Sequence, residues 1–226
     1  MKISFKNIRS LIKDSSRIYK RFNHKTDCSL VYVLIRYIFC RIVYKKNIIA
    51  HKKVKIKGIQ NIDIKGALEI GLSYFGLLHP LDITFLNIRG RLIIKSSYSI
   101  GRGCRFDVGE NAVVEIGKNG HITAFTTFII THRLTIGDNC AISWNCQFLD
   151  DDRQSLEYEG KTESAKEIVI GNHVWIGSGA QIYQGTTIPD GCVVASNSVV
   201  RGIFTKQNSI IGGNPARIVK ENVKWK

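Results

Sequence analysis

The chain has 226 residues, 44% of them hydrophobic, which suits one domain with a terminal appendage and supplies ample core. Its six cysteines lie at irregular spacing with no CxxC pair, a usage that favours reduced, structural thiols in a cytoplasmic setting over a secreted disulfide scaffold. The formal net charge of +15 is concentrated in residues 1–57, where sixteen Lys or Arg face only Asp14 and Asp27, a net of +14.

Residues 1–53 read as a basic N-terminal segment with helical character. No apolar run followed by a cleavage site is visible in the first 28 residues, so a secretory leader is not expected. The stretch Leu30 to Tyr44, LVYVLIRYIFCRIVY, is strongly apolar, but Arg36 and Arg41 interrupt it and it falls short of the roughly 20 residues of a bilayer span. It is expected as a helix that packs on the following coils or lies in a membrane interface. The basic arm has three readings: a solvated charged face, an anionic membrane surface bound through residues 1–57, or nucleic acid. The last lacks any reading element and is set aside. Near an anionic surface each Lys or Arg contributes about 1 kcal/mol, and an apolar helix face adds to it. The expected location is cytoplasmic, with peripheral contact at the inner face of the membrane.

Residues 54–212 read as a β-solenoid. Six consecutive hexads run from Ile170 to Thr205, opening on Ile170, Ile176, Ile182, Ile188, Val194 and Val200. Their fifth positions are Val174, Ala180, Thr186, Cys192, Ser198 and Phe204, of which only the last is bulky. A helix drifts against a period of six and an ordinary strand alternates every two, so a strict six means short strands separated by corners and stacked coil upon coil. Each flat face needs an inward apolar residue, and each corner a small one. Gly171, Gly177, Gly185 and Gly191 suit the turns because they accept backbone angles that branched residues resist. An earlier pair of hexads opens at Ile136 and Ile142 with Cys140 and Cys146 at the corners, and looser copies begin at Ile100 and Ile116. Cys104 and Cys192 also take small, buried positions of the repeat.

The repeat breaks once, over residues 149–169, where LDDDRQSLEYEGKTESAKE is polar and acidic. A rigid solenoid needs no such length to continue, so the excursion is expected to be functional.

The segment IVIGNHVWIGSGAQIYQGTTIPDGCVVASNSVV, followed by IIGGNPARIVK, resembles the hexapeptide-repeat acyltransferases, and more narrowly the sugar O-acetyltransferases related to maltose and galactoside acetyltransferases and to enzymes of capsule and O-antigen glycans. The likeness covers about residues 90–220 and rests on GNHVWIG, the uninterrupted hexads and the terminal GNPAR in that order. It implies a left-handed parallel β-helix, a homotrimer, acetyl-CoA as acyl donor bound between neighbouring prisms, a saccharide acceptor, free or lipid-linked, and no metal. By the same resemblance Trp175 flanks the pantetheine arm, Ser178 and Ser196 leave backbone groups open to its amides, and Arg217, in the 213–226 tail, meets the coenzyme phosphates. Where the family often carries Thr-Lys after the last full hexad, this chain has Arg201 and Gly202, and Arg201 supplies the charge.

At the acceptor end the resembling enzymes read Asp, any residue, Asp, any residue, His, with that His as general base. Here the run is Asp150, Asp151, Asp152, Arg153, Gln154. Asp150 and Asp152 would orient the base or the sugar, but Gln154 stands at the base position, and an amide cannot take a hydroxyl proton as an imidazole does. Three accounts remain open: a His to Gln change, a weak or inactive homologue acting as a glycan- or coenzyme-binding scaffold, or a base from elsewhere. His132, eighteen residues before Asp150, and His173, inside GNHVWIG, are the alternative bases. The implied activity is O-acetylation of a saccharide hydroxyl, with N-acylation of an amino sugar as its nearest variant. A carbonic anhydrase on the same solenoid would need three converging histidines, and His121, His132 and His173 show no paired spacing.

Overall fold

The computed structural model describes residues 28–72, 76, 78–151 and 166–226. Asp152, Gln154 and residues 1–27 of the basic arm lie outside them. Short parallel strands build three flat faces of a prism: nine strands on the first, seven on the second and six on the third. The first face begins at Ile48–Ala50 and runs through Tyr98–Ile100, His121–Ile122, Ala141–Ile142 and Trp175–Ile176 to Ile210–Gly213, where Ala216–Lys220 folds back antiparallel. The parallel ladder thus starts at residue 48, ahead of the 54 expected. The fold is the left-handed parallel β-helix.

The hexads set the register. Ile170 pairs with Ile188, Ile176 with Val194 and Ile182 with Val200, each eighteen residues apart, three hexads to a coil. All six openers are buried, and so are the small fifth-position residues from Val174 to Ser198. Bulky Phe204 packs against the edge of the core only in part, where the repeat ends. Earlier coils are longer: Phe128 pairs with Phe106 and Phe148, 22 and 20 residues away, because their corners take extra residues. The three rings stack through the interior at 4.3 and 4.7 Å. Ile136 pairs with Ile170, 34 residues on, so the excursion is an insertion between the second and third faces and leaves the ladder in register.

Two kinds of glycine serve the corners. Gly185 and Gly191 have φ of 72° and 73°, the left-handed conformation expected of them. Gly171 and Gly177 do not. At Gly177 the constraint is space, since a Cβ would stand 2.6 Å from the Val194 carbonyl oxygen of the next coil.

All six cysteines are free and buried. The Cys140 thiol donates to the Gly171 carbonyl at 3.1 Å and the Cys146 thiol to the Gly177 carbonyl at 3.3 Å, so each ties its corner to the coil above. Burial pushes the thiols up, Cys104 to about 12 and Cys140 and Cys146 to about 11, which keeps them protonated donors rather than nucleophiles.

The expected N-terminal helix is α1, Leu30–Val43. Its buried residues Val33, Tyr37 and Cys40 recur at helical spacing and face the first coil, with Ile49, Ala67 and Leu72 in the same cluster for Val33 and Tyr37. Arg36 donates to the His51 carbonyl at 3.0 Å, so one of the two charges that interrupt the apolar run serves as a clasp.

Phe128→Ala should cost about 3–5 kcal/mol in denaturant unfolding, because it opens the middle of the ring stack. Ile129→Ala, one residue on and facing outward, should cost less than about 1 kcal/mol. Equal costs would contradict the assignment of inward and outward positions.

Candidate active site

On the second face, inward positions alternate: Phe128 and Ile130 in one coil, Phe148 and Asp150 in the next. Asp150 therefore occupies the place above Ile130 where an aliphatic residue would continue the core. A carboxylate survives there because its hydrogen bonds are met. One oxygen accepts from the Thr131 N–H at 2.7 Å and the Thr131 hydroxyl at 3.1 Å, the other from the N–H groups of His132 and Arg133 at 2.7 and 3.0 Å. Three consecutive backbone donors converging on one anion form a fixed cradle. Asp150 is fully buried and shapes the turn that carries His132, so it acts on the site through that turn and not by facing an acceptor.

Asp151 is the outward neighbour. Its carboxylate lies 3.0 Å from His132 Nε2 and 3.5 Å from Lys166 Nζ. A carboxylate only accepts, so Nε2 is the donor of this pair, and in the neutral ring Nδ1 is then the acceptor atom. Lys166 and Glu167 stand at the far foot of the excursion, and Glu167 accepts from Arg133 Nε at 3.2 Å. Arg133 also pairs with Glu115, and Glu115 with Lys95 at 3.2 Å. Both feet of the excursion are thus tied to the turn that Asp150 holds. Asp151 gave no sequence signal of its own; its role follows only from the stacking of His132 beneath it.

The residues that the sequence assigned to the coenzyme lie elsewhere on the prism. Trp175 is exposed on the first face, and its indole N–H donates to Ser143 Oγ at 3.1 Å, leaning toward the corner between the first and second faces. Ser178 and Ser196 occupy that corner in successive coils, with hydroxyls 3.2 Å apart. Arg217 is exposed on the fold-back strand at the end of the first face. Arg201 is separate, at the corner between the second and third faces, with its guanidinium 5.6 Å from the centroid of the Tyr183 ring. Within one chain, then, Trp175, Ser178, Ser196 and Arg217 share one side, and His132, Asp150, Asp151 and Arg201 share another.

His173 sits at the third edge, between the third and first faces. Its ring stacks on Trp225 at 4.1 Å, Trp225 Nε1 donates to the His173 carbonyl at 2.9 Å, and His173 Nε2 lies 3.2 Å from the Trp225 carbonyl. The structure does not bring it to the excursion. Trp225 also comes within 6.2 Å of Trp175, an aromatic neighbour of the donor side that its terminal position in the sequence concealed. His121, on the first face, stacks beside Ser99 and Ala141, and burial pulls its imidazole below the ordinary range. Among the described residues no three His, Cys, Asp or Glu side chains gather as a metal site.

The profile of the bacterial transferase hexapeptide family (six repeats) matches residues 167–202. An uncharacterized 24.8 kDa protein in the cps region of Klebsiella pneumoniae is 36% identical over 210 residues, 92% of this chain and 94% of that one. Galactoside O-acetyltransferase of Escherichia coli K12 is 34% identical over 129 residues, 50% of this chain and 63% of that one. Among solved structures, the polysialic acid O-acetyltransferase OatWY superposes with a TM-score of 0.50 at 20% identity, over 80% of this chain and 88% of that one, a likeness of fold. The chain belongs to the hexapeptide-repeat acyltransferase family.

Asp150→Ala should cost at least about 3 kcal/mol in stability, since it strips three backbone donors of their charged acceptor. Asp151→Ala, on a partly exposed pair, should cost less than about 1 kcal/mol. Comparable losses in a urea titration would remove the cradle assignment.

Proposed function

We propose that this protein transfers an acetyl group from acetyl-CoA to a hydroxyl of a surface polysaccharide, and that His132 is the base. Family membership and the capsule-region relative support the reaction class and the glycan acceptor. The observation that carries the assignment of the base is the His132 to Asp151 contact at the neck of the excursion. The acceptor hydroxyl gives its proton to His132 Nδ1 as its oxygen attacks the thioester carbonyl; the tetrahedral oxyanion collapses with loss of the C–S bond, and the proton passes from the imidazolium to the departing thiolate. Asp151 holds the ring in orientation, the role a carboxylate plays beside a catalytic imidazole. No covalent enzyme intermediate is required.

Donor and acceptor residues lie on different sides of one prism, so the working site is assembled between copies. In this reading the protein is a homotrimer in which the neck of one subunit faces the Trp175, Ser178 and Ser196 side of its neighbour, and Arg217 takes the coenzyme phosphates, for which a guanidinium fork is suited. Asp152 and Gln154 contact the sugar rather than move its proton. The acceptor is lipid-linked, and residues 1–57 hold the enzyme at the anionic inner face of the membrane. A non-catalytic scaffold is the second reading, favoured by Gln154 at the position where the resembling enzymes carry His.

His132→Gln should lower kcat for glycan acetylation by ~10²- to 10⁴-fold with little change in the KM for acetyl-CoA. Gln154→His should change the rate by less than ~10-fold. An unchanged rate in His132→Gln together with a large gain in Gln154→His would return the base to position 154. No acetylation by any of these proteins would support the scaffold.

A further inference from the structure

The inner stripe of α1 is sealed against the first coil, but its outer stripe has no cover among the described residues. Val31, Ile35, Ile38, Phe39 and Val43 are all exposed, Ile35 by 64% and Phe39 by 54%, and Tyr32 and Tyr44 flank them. A helix on a protein surface ordinarily turns charged residues outward. This one turns branched aliphatic side chains and a phenylalanine outward at helical spacing, which makes a continuous ridge and not a scatter of single residues.

The charge around the ridge indicates its partner. From residue 28 to residue 57 the chain carries eight Lys or Arg and no Asp or Glu. Lys45, just past the helix, and Lys52, Lys55 and Lys57, in the first coil, are exposed. Lys46 is paired with Asp63 at 3.6 Å, and the apolar ridge together with the other cations of this stretch matches the two layers of an anionic bilayer surface, acyl chains beneath and acidic head groups above. The helix has 14 residues, or about 21 Å at the usual rise, against a hydrocarbon core of about 30 Å, so it lies in the surface and does not cross. No helix among the described residues is long and apolar enough to span.

We infer that α1 is a membrane-docking surface: Val31, Ile35, Ile38, Phe39 and Val43 enter the boundary between head groups and acyl chains of an anionic bilayer, and the exposed lysines of the first coil engage the head groups. This deepens the membrane element of the preceding reading by assigning it to particular residues, and it holds whether or not His132 is the base. One end of the solenoid is thereby held at the bilayer.

Flotation of the full chain with phosphatidylcholine vesicles, with and without phosphatidylglycerol, tests it. The protein should float with the anionic vesicles and not with the neutral ones. Ile35→Ser with Phe39→Ser should lower the partition coefficient by ~10-fold or more, with unchanged circular dichroism and unchanged mass by light scattering. Lys52→Glu with Lys55→Glu should lower it as well, more at low salt than at high. If the serine variant fails to fold, Phe39→Ala alone should still weaken binding at least ~3-fold. Failure of the parent chain to float would overturn the inference, as would a serine variant that floats as well as the parent, which would place binding outside α1. So would a serine variant of reduced mass, because the ridge would then be a contact between copies. Acetylation is not part of the readout, so failure here leaves the proposed reaction standing.

Discussion

Stacking in register is the constraint on which everything else in this protein rests. Parallel coils that hydrogen-bond face to face must send the same alternate positions inward turn after turn, so a side chain is committed to the core by the residue beneath it. Phe106, Phe128 and Phe148 show the rule as a column of rings, and Ile176 over Ile142 and under Val194 shows it on the first face. Corners answer to the same rule. Gly177 is glycine because the Val194 carbonyl oxygen is too near for any Cβ, and the Cys140 and Cys146 thiols reach carbonyls of the next coil.

Asp150 is where that constraint becomes chemistry. Parity sends it inward, and a carboxylate can stay there only by collecting donors. The donors at hand are the backbone N–H groups of residues 131–133, and gathering them fixes the turn on which His132 stands. With the main chain held in this way, Asp151 follows outward and meets the imidazole. A buried polar residue in the column, which taken alone would be costly, is what places an exposed imidazole–carboxylate pair at the neck of the excursion.

The repeat was legible in the sequence because three hexads make one coil without remainder between Ile170 and Thr205, so spacing alone identified the inward residues. Upstream, where coils lengthen to 20 or 22 residues, the same inference weakens, and the first strand at Ile48–Ala50 escapes it because Ile49 is buried under α1, which leaves the strand apolar on both faces with no alternation to read. The glycines were found correctly but for only half the reason, since φ is visible as a residue preference while the approach of the next coil is not. His132 was placed near the excursion by counting eighteen residues. That the inner carboxylate would be Asp150 and the one touching the ring Asp151 depended on side-chain parity, which a run of three aspartates does not reveal. Motif order groups Arg201 with the coenzyme residues, and within one chain the solenoid carries it to the edge of His132, a placement that spacing alone does not reveal. Trp225 had no motif at all, and it takes its place only because the fold-back strand returns the tail across His173.

The proposed site, divided between two sides of one prism, requires a second copy to complete it, and subunit mixing tests this most directly. Trp175→Ala removes the proposed donor-side aromatic and His132→Gln the proposed base, each expected to leave little activity alone. After co-refolding in equal amounts, random trimers in which each site draws one side from each neighbour should regain about a quarter of the parent rate, since half the donor sides and half the bases are intact independently. Recovery of that order would establish the shared site. Mixed trimers, verified by mass, with no more activity than the separate variants would show that donor and acceptor residues act within one chain.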